Sequence, residues 1–229
     1  YKYKQLSDLS FDLVMIYHGI NDTRANNAPS SIFRSDYSHY VWYEKINAMM
    51  QHREINYVVF PWTLRYAYLE YKGRHNPHLY IPRHVPTNQS WIKMGATVKS
   101  KKAFHRNMTS ILRLAERNSS LTAVMTFAYY LPKGYSKERL ENGTLGYTAA
   151  SHAMPVEIWG SPQNVVNGIG AHNQIIRDIA ANEEGVHYID QENAIPKIGR
   201  TFVDMCHLSV EGQKLWVDNI VNYLDSKTL

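Results

Sequence analysis

Three short, mostly apolar runs along the chain have the pattern of strands that are buried on both faces. Residues 11–17, FDLVMIY, are apolar at every position except Asp12, and residues 121–128, LTAVMTFA, form the second run. The third run, residues 186–189, is shorter. Apolar runs of this length with β-branched members are typical of parallel sheets whose two faces are both covered. The sequence therefore predicts a parallel sheet with the first two runs as its central strands.

Helical periodicity appears between and after these runs. Apolar residues recur at spacings of three and four between residues 98 and 118, between 165 and 180, and between 217 and 224. Residues 129–162 are rich in glycine and proline and are predicted to be a loop. The order strand, helix, strand, helix, strand, helix predicts an α/β fold with three α/β/α layers, in which helices cover both faces of the parallel sheet.

The segment from residue 23 to residue 97 does not fit this alternation. It is predicted to be an insertion or a lid within a single domain that spans residues 1–229. A helix is expected near residues 41–51. Residues 55–71 are apolar and aromatic but contain a proline, so the sequence is compatible with either a helix or a strand in this stretch. Glycines and prolines make residues 73–97 a predicted loop, and loops of this length usually serve a function.

Aromatic residues are concentrated in this segment. The chain has seventeen tyrosines and five tryptophans, and Trp42, Trp62 and Trp91 all lie between residues 23 and 97. Such side chains combine an apolar face with a polar edge, which suits the binding of sugars or amphiphiles and equally suits packing. We therefore expect the segment to shape a substrate site, with a lid or interface that does not touch substrate as the alternative.

Composition excludes several classes of protein. Hydrophobic residues make up 44% and charged residues 20% of the 229 residues, as in an ordinary globular domain. No run of about 18 apolar residues is present, so no membrane span is predicted. The single cysteine, Cys206, excludes an intrachain disulfide and a site of several thiolates. The net charge of +5 comes from scattered basic residues without a nucleic-acid motif, and no nucleic-acid partner is predicted.

Two short motifs carry the candidate chemistry. Gly19-Ile20-Asn21-Asp22 follows the first predicted strand, and ligands of open α/β sheets bind at the carboxyl ends of strands. Asp204 precedes His207 by three residues at the entry to the last predicted helix. An acid at this spacing can hold one imidazole nitrogen and stabilise the imidazolium, as in a serine triad. An asparagine at a strand end can donate to a developing oxyanion.

Together these motifs resemble those of the SGNH/GDSL hydrolase superfamily. Its third block, G-x-N-D, is matched by Gly19, Asn21 and Asp22, and its fifth block, D-x-x-H, is matched by Asp204 and His207. The resemblance implies a flavodoxin-like α/β fold and a serine esterase without a cofactor. It also implies that His207 is the general base, that Asp204 orients it, and that Asn21 and Gly19 form the oxyanion hole.

The first two blocks of that family, which carry the nucleophilic serine and an oxyanion glycine, precede G-x-N-D, and only eighteen residues precede Gly19 here. Ser7 and Ser10 adjoin the same strand as G-x-N-D, whereas the family places its serine on a separate strand, so neither is assigned as the nucleophile. We expect the chain to be incomplete at its N-terminus. The serine would then be supplied upstream, on residues that precede Tyr1 or on a separate N-terminal chain.

The remaining polar residues suggest no other chemistry. The histidines lack metal-ligand spacing such as H-E-x-x-H, and no metal is predicted. His18 is expected to be a structural neighbour of the oxyanion residues, with substrate contact as the alternative, and Cys206 is expected to pack. The sequence leaves the compartment open, with secretion or the periplasm favoured.

Three functions follow as hypotheses. The first is an esterase that cleaves an acyl ester through an acyl-enzyme, with an acetyl ester on a carbohydrate as one candidate substrate. The second is an O-acyltransferase with the same site, in which a sugar hydroxyl replaces water. The third is a binding domain that keeps the fold but is catalytically silent.

Overall fold

The computed structural model describes residues 10–39, 59–75 and 89–227. Within these ranges the chain is an α/β protein with one parallel sheet. Its strands are β1 (Leu13–Tyr17), β2 (Leu121–Met125) and β3 (Val186–Ile189), in the order β1-β2-β3. Leu13 lies opposite Leu121, Thr122 lies opposite Val186, and both pairs of strands are parallel. The parallel pairing predicted for the first two apolar runs is confirmed. The prediction that both are central strands is wrong for β1, which lies at an edge of the described sheet and leaves Met15 47% exposed, whereas β2 lies between the other two strands.

Helices make up about half of the described chain. They are α1 (Ile20–Arg24), α2 (Val59–His75), α3 (Gln89–Ile92), α4 (Lys101–Arg117), α5 (Lys137–Glu141), α6 (Pro162–Asn182), α7 (Gln191–Ala194) and α8 (Val210–Lys227). The three predicted helical stretches correspond to α4, α6 and α8. Among the helices described, none combines the length and the apolar character that crossing a membrane requires.

Helices cover both faces of the sheet, as predicted. One face packs against α4 and α6 in a buried cluster of Ile16, Phe104, Met108, Leu112, Val124, Ile176 and Ile179. The other face packs against α8 through Ala123, Met125, Ile189 and Ile220. Neighbouring residues of β2 thus point to opposite helical layers, as the two-residue repeat of a strand requires. Each fully buried large side chain, such as Phe104, contributes about 1.5–3 kcal/mol to folding.

Several predicted element boundaries differ from the observed ones. Residues 59–75 form α2 although Pro61 lies within it, because Pro61 falls in the first turn, where a backbone N–H has no helical partner to lose. The predicted loop over residues 73–97 contains the end of α2, then α3 and a 3₁₀ turn, Lys93–Ala96. The predicted loop over residues 129–162 contains α5 and a second 3₁₀ turn. The helix expected near residues 41–51 lies outside the described residues.

The chain that follows α1 packs into the domain. Ala25, Ala28 and Tyr37 form a buried cluster with Trp91 and Ala103, which joins this segment to α4. Trp91 is only 8% exposed and packs in this cluster. Trp42 and the side chain of Trp62 lie outside the described part of the molecule.

Candidate active site

A tight turn between the sheet and α8 presents Asp204 and His207. The backbone N–H of Val203 donates to the carbonyl of His207, and an isolated antiparallel bridge joins Phe202 to Leu208. Ser209 then caps α8, since its hydroxyl accepts the backbone N–H of Gly212 at 3.1 Å. The local sequence thus closes the turn and starts the helix immediately after the histidine.

Asp204 is fully buried and accepts four hydrogen bonds. Its Oδ1 accepts the backbone N–H groups of Cys206 and His207, both at 2.9 Å. Its Oδ2 accepts the backbone N–H of Met154 at 2.8 Å and the Nδ1–H of His207 at 2.7 Å. Because a carboxylate oxygen can only accept, Nδ1 must carry a proton, and the neutral ring presents a lone pair at Nε2. The hydrogen bond expected between Asp204 and His207 is present.

The charge states of this pair follow from the same contacts. Burial alone would raise the pKa of Asp204, but the hydrogen bonds from His207 and from the backbone N–H groups outweigh burial and lower that pKa. The hydrogen bond to Asp204 raises the pKa of His207 above its ordinary value, against a smaller opposing effect of burial. The His207 side chain is 40% exposed, so its other edge is accessible to solvent. The pair is therefore a carboxylate beside an imidazole that binds a proton more readily than usual.

Gly19 and Asn21 lie at the carboxyl end of β1, at the beginning of α1. A Cβ atom at Gly19 would lie 2.7 Å from Cβ and Cγ of Phe127, so only glycine fits against that residue. Asn173 of α6 fixes the backbone of Phe127 by accepting its N–H at 2.7 Å and donating to its carbonyl at 3.0 Å. His172, its neighbour on α6, contacts the carbonyl of Gly19 at 3.3 Å. One helix thus holds the ends of β1 and β2 together.

His172 makes this contact as a neutral ring. Burial lowers its pKa to about 4. The Gly19 carbonyl can only accept, so Nδ1 donates to it, and Nε2 accepts the hydroxyl of Ser100 at 2.8 Å. The ring also stacks on Phe104 at 4.3 Å between centroids. Every polar atom of this buried imidazole is therefore satisfied.

Asn21 is exposed and is oriented by Trp159. The indole Nε1–H donates to Oδ1 of Asn21 at 3.2 Å. The same indole lies 6.2 Å from the imidazole of His207, measured between ring centroids. Since one side chain reaches both residues, Asn21 and His207 lie on the same side of the domain. The alternative in which they lie on opposite sides is excluded.

His18 and Asp22 form a second histidine–carboxylate pair beside these residues. The imidazole Nε2 of His18 contacts a carboxylate oxygen of Asp22, which is buried. Burial opposes the protonation of His18, but the hydrogen bond to Asp22 together with the negative charge of that carboxylate outweighs burial and raises the pKa of His18. The His18 side chain is 46% exposed, and its Nε2 is engaged by Asp22 at the start of α1.

Asp204, Cys206 and His207 form a group whose possible ligand atoms lie within 4.8 Å of one another. A metal at this point would compete with the proton shared by Nδ1 of His207 and Oδ2 of Asp204. Burial, with the nearby charge of Asp204, raises the pKa of the Cys206 thiol well above its usual value, which disfavours the thiolate that a metal needs. The arrangement of these three residues therefore fits a hydrogen-bonded dyad better than a metal centre.

Several residues of the site lie far from the motifs in sequence. Trp159 contacts Asn21, and His172 contacts Gly19. Asn173 holds the backbone of Phe127, and the ring of His152 lies edge-on to His207 with 5.9 Å between centroids. The periodicity of α6 marked His172 and Asn173 only as polar members of a helix. A buried polar pair on a predicted apolar helix face is the signal that could have identified them.

A cavity of about 340 Å³ lies elsewhere, at the amino ends of β2 and β3, and includes Leu121 and Val186 in its lining. Parallel α/β sheets bind their ligands at the opposite, carboxyl ends of the strands. We therefore place the candidate active site at Asn21 and His207 and not in this cavity.

Comparison with known proteins adds no assignment. No family model matches the chain, and no curated protein and no solved structure matches it. Fold and function are therefore argued from the chain's own residues.

Proposed function

We propose that this chain belongs to an acyl-ester hydrolase of the SGNH/GDSL type with a Ser-His-Asp mechanism. The observation that carries the proposal is the buried Asp204 bound to Nδ1 of His207, with Asn21 on the same side of the domain. This is the arrangement of an acid, a base and an oxyanion donor that acyl transfer requires. The three-layer parallel fold is compatible with the flavodoxin-like topology of that superfamily.

The residues would act in two half-reactions. Nε2 of His207 takes the proton of the serine hydroxyl as the serine oxygen bonds to the ester carbonyl carbon. Asp204 keeps its charge and stabilises the imidazolium. The carboxamide N–H of Asn21 donates to the oxyanion. Gly19 allows the backbone to approach the reacting carbonyl closely. His207 then protonates the departing alcohol, leaving an acyl-enzyme that water cleaves through the same base.

The proposal requires a serine hydroxyl within about 3 Å of Nε2 of His207. Among the residues that the structure describes, no side chain makes a hydrogen bond to this nitrogen, although Nδ1 is bonded. Covalent labelling followed by identification of the modified residue locates the proposed serine.

The same site would serve an O-acyltransferase if a sugar hydroxyl, instead of water, attacked the acyl-enzyme. The two activities differ in the acceptor and not in the roles of His207, Asp204 and Asn21. Turnover of an activated acyl ester with and without a sugar acceptor distinguishes them, because a transferase yields an acylated sugar and a hydrolase yields the free acid. A silent binding domain would yield neither product.

The experiment is steady-state hydrolysis of p-nitrophenyl acetate by the full natural gene product. We expect His207→Ala to abolish turnover, and Asn21→Ala to lower kcat about 10²–10³-fold with a smaller change in KM. His105→Ala is the matched control, because His105 is exposed on α4 and should leave turnover unchanged. A folded His207→Ala variant with the wild-type rate would refute the proposal.

A further inference from the structure

An asparagine serves as an oxyanion donor only in one of its two orientations. The carboxamide presents NH₂ on one side and an oxygen on the other, and rotation about its last side-chain bond exchanges the two. Asn21 is exposed, so packing alone does not select an orientation. With its oxygen toward the substrate carbonyl, Asn21 would repel a developing oxyanion.

Trp159 removes this ambiguity. An indole N–H can only donate, so the atom of Asn21 that it contacts at 3.2 Å must be the carboxamide oxygen. The NH₂ group therefore points away from the indole and remains available to another acceptor. Since the indole lies beside the ring of His207, this one side chain contacts both the proposed base and the proposed oxyanion donor.

The indole itself is held firmly. Trp159 is 5% exposed and belongs to the cluster that contains Ile20 and Met205, which links α1 to the turn of Asp204. Its carbonyl accepts the side-chain N–H of the buried Asn27 at 2.5 Å. The next residue, Gly160, has a φ of +147°, a conformation that strongly favours glycine. The indole N–H is thereby fixed relative to Asn21 before any substrate binds.

We infer that Trp159 is a positioning residue, which orients the carboxamide of Asn21 so that its NH₂ group faces the reacting carbonyl. The inference rests on the proposed function and deepens it. It assigns a role to a residue 138 positions away from Asn21, outside the motifs that carry the resemblance. The preorganised donor then needs no reorientation during the reaction, which is the condition for strong stabilisation of an oxyanion.

A double-mutant cycle with Trp159→Phe and Asn21→Ala tests the role. Phenylalanine keeps an aromatic ring but removes the N–H. We expect kcat to fall about 10-fold and KM to stay within twofold of the wild-type value. The loss should be smaller than the 10²–10³-fold effect of removing the donor, because a freely rotating carboxamide still presents its NH₂ group part of the time. In the Asn21→Ala background the same change should cost less than twofold, because no carboxamide is left to orient.

The matched control is Trp216→Phe. Trp216 packs against the sheet, and its indole nitrogen is buried without a hydrogen-bond partner in the described structure. The substitution is chemically identical but removes no hydrogen bond, so kcat should not change. Thermal unfolding of both variants separates a loss of folding from a loss of orientation.

A measurement without catalysis covers the case in which Trp159→Phe does not fold. The indole ¹H resonance of Trp159 should move upfield in Asn21→Ala, which removes the acceptor, and should not move upfield in Asn21→Asp, whose carboxylate accepts a charge-assisted hydrogen bond. Asn21→Asp should nevertheless lose turnover as Asn21→Ala does, because it has no donor.

Two results would overturn the inference. One is an equal loss of kcat from Trp159→Phe in both backgrounds, which would assign the indole a purely structural role. The other is an indole resonance that is unmoved by Asn21→Ala. A wild-type rate for Asn21→Ala would instead overturn the proposed function. The resonance experiment would then still show whether the indole donates a hydrogen bond to the carboxamide. A wild-type protein without esterase activity would overturn both the proposed function and the role inferred for Trp159.

Discussion

Replacing Asp204 by asparagine changes one atom of a fully buried side chain. Two backbone N–H groups can still be accepted by the remaining oxygen, which takes the place of Oδ1. The new NH₂ group then faces the N–H of Met154 and Nδ1 of His207, which are both donors in the wild type. His207 must move its proton to Nε2 to accept from the new amide, and Met154 loses its partner.

The magnitude follows from these contacts. An unsatisfied buried N–H costs about 1–3 kcal/mol, and weakening the remaining charge-assisted bonds adds to it. We expect Asp204→Asn to lower the free energy of unfolding by about 2–4 kcal/mol at neutral pH. For a chain of this size, that corresponds to a fall in Tm of about 4–16 °C. A proton on Nε2 also removes the base, so kcat for ester hydrolysis should fall about 10⁴-fold.

The assay is thermal unfolding at several pH values together with ester turnover. Because the pKa of Asp204 is lowered in the folded state, its stabilisation is present above its ordinary value of 3.8. That stabilisation is lost as pH falls through the lowered pKa. The difference in the free energy of unfolding between wild type and Asp204→Asn should therefore become smaller in acid. Asp178→Asn, the same change on the exposed side of α6, should stay within about 0.5 kcal/mol of wild type. An Asp204→Asn protein as stable and as active as wild type would show that these hydrogen bonds contribute neither to stability nor to turnover.

Two further predictions concern the same site. The NMR signals of the His207 ring should titrate with a midpoint above the ordinary histidine pKa of 6.5. The stabilisation that the protonated ring contributes should be complete below pH 6.5 and should be lost as pH rises through the raised pKa. A midpoint that does not fall in Asp204→Asn would exclude their hydrogen bond as the cause. Gly19→Ala should cost about 1–3 kcal/mol of stability in urea unfolding, because its Cβ would collide with Phe127. The matched control is Gly170→Ala on helix α6, because an added Cβ there meets nothing within 4 Å. This substitution should stabilise the fold by up to about 1 kcal/mol, since alanine favours a helix more than glycine does. Equal effects of the two substitutions on stability would contradict the close packing of Gly19 against Phe127.

The sequence predicted the elements whose signal is local. The strands β1, β2 and β3 lie within their apolar runs. Four of the five residues of β2 are buried, which is what its continuous apolar run predicts, whereas β1 at the sheet edge is mostly half-buried. The hydrogen bond between Asp204 and His207 was also predictable, because the two residues are three apart in one turn. Local order along the chain carries enough information for both.

The sequence did not predict what depends on distant contacts. Trp159 meets Asn21 across 138 positions, and His172 meets Gly19 across 153. No periodicity marks such pairs, because each joins a loop or helix to a strand end that only the folded sheet brings near. For helix α2 the difficulty is different, because Pro61 in an apolar stretch fits a helix only in its first turn, and the sequence alone does not show where that turn begins.

The proposed function depends on the activation of a serine by His207, which Asp204 holds in place. Labelling of the full natural gene product with a fluorophosphonate, read by mass spectrometry, tests this activation in wild type and in His207→Ala. We expect one serine adduct in the wild type and labelling at least about 100-fold slower in the variant, since the base would be gone. A folded wild-type protein that forms no adduct, or an adduct that forms equally fast without His207, would show that His207 does not activate a serine.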